Sequence, residues 1–405
     1  LSLGYEGLVG YIPCEPFTFW FSEHRLDSGS TRASLETGYA REVNWTAFRQ
    51  RELPFLAEAA YLDYSLRGLV TQTALAACRE ALEASARGRA ARSDQVERLD
   101  ALRRALLAIV GFGAQGDVCF TANTTTALAL LAGSIAWRPG DRVLLHADAV
   151  SNNRLPWLAM ARRFALEVVE LPSRDGCLDL EDLAQACQEP VAWASFAAVS
   201  LATGDLRPLR EIQALVHSAG GRLCVDAAQA LGCVPVDAGD AIVGSGRKWL
   251  CGPPEVGFLL MTNAAAQGLV PLSAGACSGE GARALEGGVP PLIPAIGLLA
   301  SLEALAVTSW DEIHRGVRQN ADSVLDAAQA AGWMVRYPLG TDRQGPLVHL
   351  ALPEGAHPEL EARLEARGVF VRVLPELRSL RVSAHAWTED SEIEALFAAL
   401  ATELR

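Results

Sequence analysis

Residues Cys224 to Leu260 read CVDAAQALGCVPVDAGDAIVGSGRKWLCGPPEVGFLL, and the fold is read outward from them. Arg222 to Val225 is a short apolar run closing on Asp226, Ala241 to Val243 is a second closing on Gly244-Ser245-Gly246-Arg247-Lys248, and Glu255 to Met261 is a third. Short apolar runs bounded by glycine or proline fit strands of a sheet buried on both faces. In open α/β sheets functional groups collect at the carboxyl ends of the strands, which is where Asp226 and Ser245 to Lys248 fall.

A plainer description makes Asp226 the cap of a helix starting at Ala227 and Lys248 a solvated side chain. Lysine usage bears on the choice. The chain carries 35 Lys+Arg, and Lys248 is its only lysine. A surface served throughout by arginine that keeps one lysine between Arg247 and Trp249 points to an amine that must lose its proton, which a guanidinium cannot do. Arg247 next door lowers the pKa of that amine.

Val225-Asp226-Ala227-Ala228-Gln229-Ala230 and the run SGRKWLCGPPEVGFL from Ser245 to Leu259 resemble the active-site stretch of the class V aminotransferase family of pyridoxal-phosphate (fold type I) enzymes. That family includes cysteine desulfurases, selenocysteine lyases and isopenicillin-N-epimerase-like proteins. The resemblance extends from about Tyr61 to the end. It implies an α/β, PLP-dependent transferase-like fold, with a large domain (61–292) holding a mainly parallel seven-stranded sheet between helices. A smaller α/β C-terminal domain (293–405) follows, and residues 1–60 form an N-terminal extension. It also implies pyridoxal 5'-phosphate as cofactor, Lys248 as the Schiff-base lysine, Asp226 as partner of the pyridine nitrogen and Gln229 as partner of the ring hydroxyl. Ser245 and Arg247 then bind the phosphate, Arg247 standing where the family often has histidine.

Other stretches extend the resemblance or depart from it. Phe120 to Leu128 reads as a strand running into a polar turn that opens a helix, and helix starts present N–H groups to phosphate. By itself Asn123 reads as an N-cap; the family's Gly-Thr-Thr loop implies that Asn123, Thr124 and Thr125 hold the cofactor phosphate. Asn153-Arg154-Leu155-Pro156-Trp157 resembles the segment after the family's ring-stacking histidine, which puts Ser151, preceded by Val150, in the histidine position. Neither side chain stacks like an aromatic or carries protons like imidazole. Leu201 replaces a family asparagine, and Val289 a threonine that contacts phosphate across the dimer. Arg381-Val382-Ser383 resembles the Arg-x-Ser ending whose arginine forks onto the substrate α-carboxylate. No cysteine lies between Val369 and Arg381, where desulfurases carry their nucleophile. His385 is read as a packed histidine, and Gly111 to Gly116 spells GxGxxG between a helix and a strand, the wrong order for a dinucleotide site.

The formal net charge of −13 and a pI near 5.1 argue against nucleic acid or an anionic membrane as partner. No apolar run reaches membrane-spanning length, and the start lacks a signal peptide's basic region. Nine cysteines without CxxC spacing read as reduced thiols of a cytoplasmic protein and make a metal site unexpected. The expectation is a homodimeric enzyme acting on a small-molecule amino-acid substrate through a Cα carbanion, aminotransferase-like. The alternatives are a C–S or other β-eliminating lyase or epimerase of the same family, and a non-catalytic binding or scaffold descendant.

Overall fold

The apolar runs become the strands of one seven-stranded sheet, seen in a computed structural model that describes residues 43–88, 92–272, 281–340, 342–354 and 358–403. Phe17 to Phe21, an aromatic run that reads as packing on the body or edging the site, and Cys277, read as a buried thiol, lie outside the described residues. Counting strands of three or more residues, the sheet is built from β1 (Gly116–Thr121), β2 (Arg142–His146), β3 (Glu167–Leu171), β4 (Trp193–Ala197), β5 (Arg222–Asp226), β6 (Ala241–Ser245) and β7 (Gly257–Thr262). Their spatial order is β1-β7-β6-β5-β4-β2-β3. Neighbours from β6 through β3 are parallel, and β7 runs antiparallel to both β6 and β1.

Both faces of this sheet are covered, and alternation along the strands shows how. Val143 and Leu145 of β2, Ala241 and Val243 of β6, and Leu259 and Met261 of β7 join one core, with Leu128 and Leu131 of helix Thr124–Ser134 and Trp157 of helix Ser151–Phe164. The intervening Leu144, Ile242, Phe258 and Leu260 join the other, with Leu102 and Leu106 of helix Arg92–Ile109 and Leu298 of helix Leu292–Leu305. Such strands need apolar residues on both sides, which is why they read as continuous runs. Among the described residues no single helix is long and apolar enough to cross a membrane.

The C-terminal layer carries a three-stranded antiparallel sheet of β8 (Val348–Ala351), β9 (Arg372–Leu374) and β10 (Ser379–Val382), ordered β8-β10-β9. Helices Trp310–Ala330, Leu360–Glu365 and Asp390–Glu403 pack on it through Val324, Leu364 and Leu396. Three runs that read as short strands in the sequence, Met334 to Tyr337, Phe370 to Val373 and Tyr61 to Tyr64, fold otherwise. Met334 to Tyr337, expected as a strand, contributes only the Val335–Leu350 bridge. The run Phe370 to Val373 is split: Val369–Phe370 pairs in parallel with Ala60–Tyr61, and Arg372–Leu374 turns to β10. The strand expected at Tyr61 to Tyr64 shrinks to Ala60–Tyr61 plus a bridge from Asp63 to Ser383.

Candidate active site

The strand order reverses between β2 and β4, since the chain leaves β2 for β3 on one side and returns to β4 on the other; such switch points are where open α/β sheets bind ligands. A cleft with a cavity volume of about 120 Å³ opens there. Its walls are the segments that follow the carboxyl ends of β1, β2, β4, β5 and β6.

At one end lies the start of helix Thr124–Ser134. Asn123 Oδ1 accepts the Thr126 N–H at 2.9 Å, so Asn123 does cap the helix. Thr124 and Thr125, which also line the cleft, supply the first two N–H groups, which a helix leaves without an internal acceptor. The turn lies directly on β7: a β-carbon on Gly257 would come within 2.5 Å of the Asn123 backbone. Arg247 faces the same cleft, and among the described residues no carboxylate lies within 4 Å of its guanidinium. Ser245 lines the cleft too, its hydroxyl donating to the Val256 carbonyl at 3.4 Å.

In the floor, Asp226 ends β5. Its Oδ1 accepts the Ala228 N–H at 3.0 Å and its Oδ2 accepts from Asn153 Nδ2 at 3.3 Å, while Asn153 Oδ1 accepts from the Ser195 hydroxyl at 3.0 Å. No helix follows Asp226; residues 228–233 form turns. Burial raises its carboxyl above the usual range, opposed by the Ala228 N–H, the Lys248 charge and Asn153. Gln229 accepts from Trp249 Nε1 at 3.1 Å and donates to the Ser65 carbonyl at 2.8 Å. That leaves one amide proton of Gln229 for the cleft.

Lys248 opens onto this floor. Burial pushes its amine down to about 8, Arg247 and Arg381 act in the same direction, and Asp226 opposes them. The lysine peptide is clamped from behind, because the Gly68 N–H donates to the Arg247 carbonyl at 2.8 Å and Gly68 lies against the Lys248 carbonyl.

The wall after β2 departs from the expectation. Val150 lines the cleft but Ser151 does not; it is exposed as the first residue of helix Ser151–Phe164, and Asn152, itself exposed, and the buried Asn153 line the cleft instead. Reading the sequence passed over the residue that dominates this wall, Asp148. Its carboxylate binds His146 Nδ1, the Arg207 guanidinium at 2.7 Å and the Ser200 hydroxyl. Burial alone would raise Asp148, but these partners outweigh it and hold the carboxyl well below the usual carboxylate range. The available signal was an acid just past an apolar run, the same pattern that marked Asp226.

Arg381 lies outside the cleft lining, in the middle strand of the small sheet and only 3 % exposed. Its Nε has no partner, and its nearest carboxylate among the described residues is Asp63, at 3.7 Å. His385 is a packed residue, stacked on Trp387 at 3.6 Å with Nε2 donating to the Trp249 carbonyl at 3.0 Å; burial pushes it down to about 3.

The sequence model of the family Aminotransferase class-V matches residues 60–385. This chain belongs to that family. A probable cysteine desulfurase of Halalkalibacterium halodurans is 26 % identical to the class-V chain over 311 residues, which cover 69 % of this chain and 76 % of that protein. One from Methanothermobacter thermautotrophicus is 29 % identical over 237 residues, 56 % and 58 % of the two chains. Among solved structures, the apo cysteine desulfurase of Thermococcus onnurineus NA1 superposes with a TM-score of 0.81 at 21 % identity, over 90 % of this chain and 99 % of that one. The cystine C–S lyase C-DES, in complex with its reaction product cysteine persulfide, gives 0.79 at 22 %, over 86 % and 99 %. The class-V cofactor is pyridoxal phosphate. The cleft suits it: one end offers free helix N–H groups and an arginine without a carboxylate partner, and the floor pairs the single lysine with a buried acid.

Proposed function

We propose that this chain is a pyridoxal-phosphate-dependent lyase that breaks a C–S bond by β-elimination, acting on an α-amino acid with a sulfur leaving group on Cβ. The aminotransferase-like expectation gives way to its lyase alternative because the relatives named above are cysteine desulfurases and a structural neighbour is a cystine C–S lyase. The observation that carries the reading is the placement of Lys248, with its amine near 8, beside Asp226 in one cleft. The same convergence argues against a non-catalytic scaffold.

Bound there, pyridoxal phosphate supplies the electron sink that makes the Cα proton removable. Thr124, Thr125, Ser245 and Arg247 hold its phosphate, with Asn123 fixing their turn. Asp226, oriented by Ala228 and Asn153, holds a proton at the ring nitrogen, and Gln229 donates to the ring hydroxyl. Lys248 Nζ takes the Cα proton and returns it to the departing sulfur. Arg381 holds the α-carboxylate. With no cysteine between Val369 and Arg381, that segment has no thiol to capture sulfur, so the sulfur leaves into solution.

Holoenzyme incubated with L-cysteine and L-cystine tests this. Pyruvate, ammonia and soluble sulfide or persulfide are expected in step. A keto acid retaining its sulfur, formed with conversion of the cofactor to its amine form, would overturn the lyase reading in favour of transamination. Sulfur recovered as a protein-bound persulfide would overturn release into solution.

A further inference from the structure

The Arg381 guanidinium is a poorly satisfied buried cation. Its Nε has no acceptor, and Asp63 Oδ1 stands 3.7 Å from its NH2, beyond hydrogen-bond distance. Asp63 is itself buried, 6 % exposed, and is held by the bridge to Ser383 and by the Ser65 hydroxyl, which donates to Oδ1 at 3.3 Å. A bidentate carboxylate would satisfy this arginine far better than Asp63 does.

We propose that Asp63 is a built-in stand-in for the substrate's α-carboxylate, a positioning residue that occupies Arg381 in the free protein and must give it up when a carboxylate ligand binds. This rests on the reading of Arg381 as the carboxylate-binding residue. A second carboxylate brought against this pair repels the charge on Asp63, so ligand binding draws a proton onto Asp63.

The coupling has a definite direction. Burial pushes Asp63 up to about 6, with Arg381, Ser65 and Arg372 opposing and Glu361 adding to it. Below that pH Asp63 is neutral and releases Arg381; above it, the ligand must force a proton onto Asp63, and affinity falls by up to about tenfold per pH unit. The charged and titratable groups around the pair are Arg372 on β9, Glu361 on helix Leu360–Glu365, His349 on β8, Tyr61 on the adjoining segment and Lys248 of the cleft. Arg372 is a permanent cation and forms an ion pair with Glu361 at 2.7 Å. His349 is pushed down to about 3 by burial and Arg381, Tyr61 is pushed up, and the Lys248 amine, near 8 when free, is taken up by the cofactor in the holoenzyme, which leaves the window around 6 to Asp63.

Propionate, a carboxylate without an amino group, probes this with no reaction following. Its binding to the holoenzyme is measured by calorimetry at pH 7 in two buffers of different ionisation enthalpy, and its affinity is followed from pH 5.5 to 7.5. The wild-type protein is expected to take up close to one proton per propionate and to bind it more weakly as pH rises. Asp63→Asn, checked for wild-type melting temperature and cofactor absorption, is expected to take up none, to show a flat profile, and to bind up to about tenfold tighter at pH 7. Arg381→Gln is expected to lose propionate. If Arg381→Gln binds propionate like wild type, the carboxylate reading of Arg381 fails. If Arg381→Gln loses it while the wild type takes up no proton, or Asp63→Asn keeps the wild-type uptake and pH profile, Arg381 stands and the role of Asp63 is overturned.

Discussion

A β-carbon on Gly68 would lie 1.9 Å from the carbonyl oxygen of Lys248 and 3.2 Å from the Cα of Cys251. Both obstacles are backbone, so neither can swing aside as a side chain would. Gly68→Ala must therefore move the peptide that aims the lysine. The expected result is a loss of at least about 1–3 kcal/mol in stability, the usual range for overpacking, with a larger loss of cofactor binding. Thermal melting and cofactor absorption on the same sample compare the two.

Lys248 is the one lysine of the chain, with an amine near 8. Its neutral, nucleophilic fraction grows as pH rises toward 8 and levels off above. The rate at which apoprotein captures pyridoxal phosphate should follow that curve, rising up to about tenfold per pH unit below 8. Borohydride should then fix the cofactor on a single peptide. Lys248→Arg should give no reducible adduct at any pH, as peptide mass spectrometry will show.

Arg247 has no carboxylate partner among the described residues and faces the helix start at Thr124. A charge-assisted hydrogen bond to phosphate contributes about 1.5–3 kcal/mol, so Arg247→Gln should weaken cofactor affinity roughly ten- to a hundredfold. Equilibrium dialysis measures this directly. Inorganic phosphate should compete with the cofactor in wild type and much less in the variant.

His385 is buried and neutral, with Nδ1 accepting the Ala386 N–H at 2.8 Å and Nε2 donating to Trp249. Its folded pKa, about 3, lies below the ordinary 6.5. The unfolded chain therefore binds the proton first, and stability is lost as pH falls below 6.5, by up to roughly 1.4 kcal/mol per pH unit. Denaturant unfolding between pH 6.5 and 4 should show a shallower slope in His385→Gln than in wild type. His314 and His349, pushed down to about 4 and 3 by burial, supply the slope that remains.

What could be read in the sequence was local. Asp226, Ser245 and Lys248 stood out because each ends or follows a strand buried on both faces, and such strands announce themselves as unbroken apolar runs. Thr124 and Thr125 were placed by the turn that starts a helix. Ser151 was misplaced because its position was counted back from Asn153 along the chain, whereas a helix starts at Ser151 and turns successive side chains about 100° apart. The Asp148, His146, Arg207 and Ser200 cluster stayed hidden for another reason: Arg207 reaches Asp148 across 59 positions, and no local pattern records that pairing. Likewise Phe370 to Val373 looks like one strand in sequence; two sheets claim its halves.

The pairing of Ala60–Tyr61 with Val369–Phe370 also bears on how the chain is made. A ribosome releases residue 60 long before residue 369 exists, so the early segment must wait, its backbone groups held by water, for most of synthesis. The large sheet can close around the Lys248 cleft in that interval, whereas Arg381 and its neighbour Asp63 meet only once the last strands emerge. Chains that stop short of β10 would present the Lys248 cleft without Arg381.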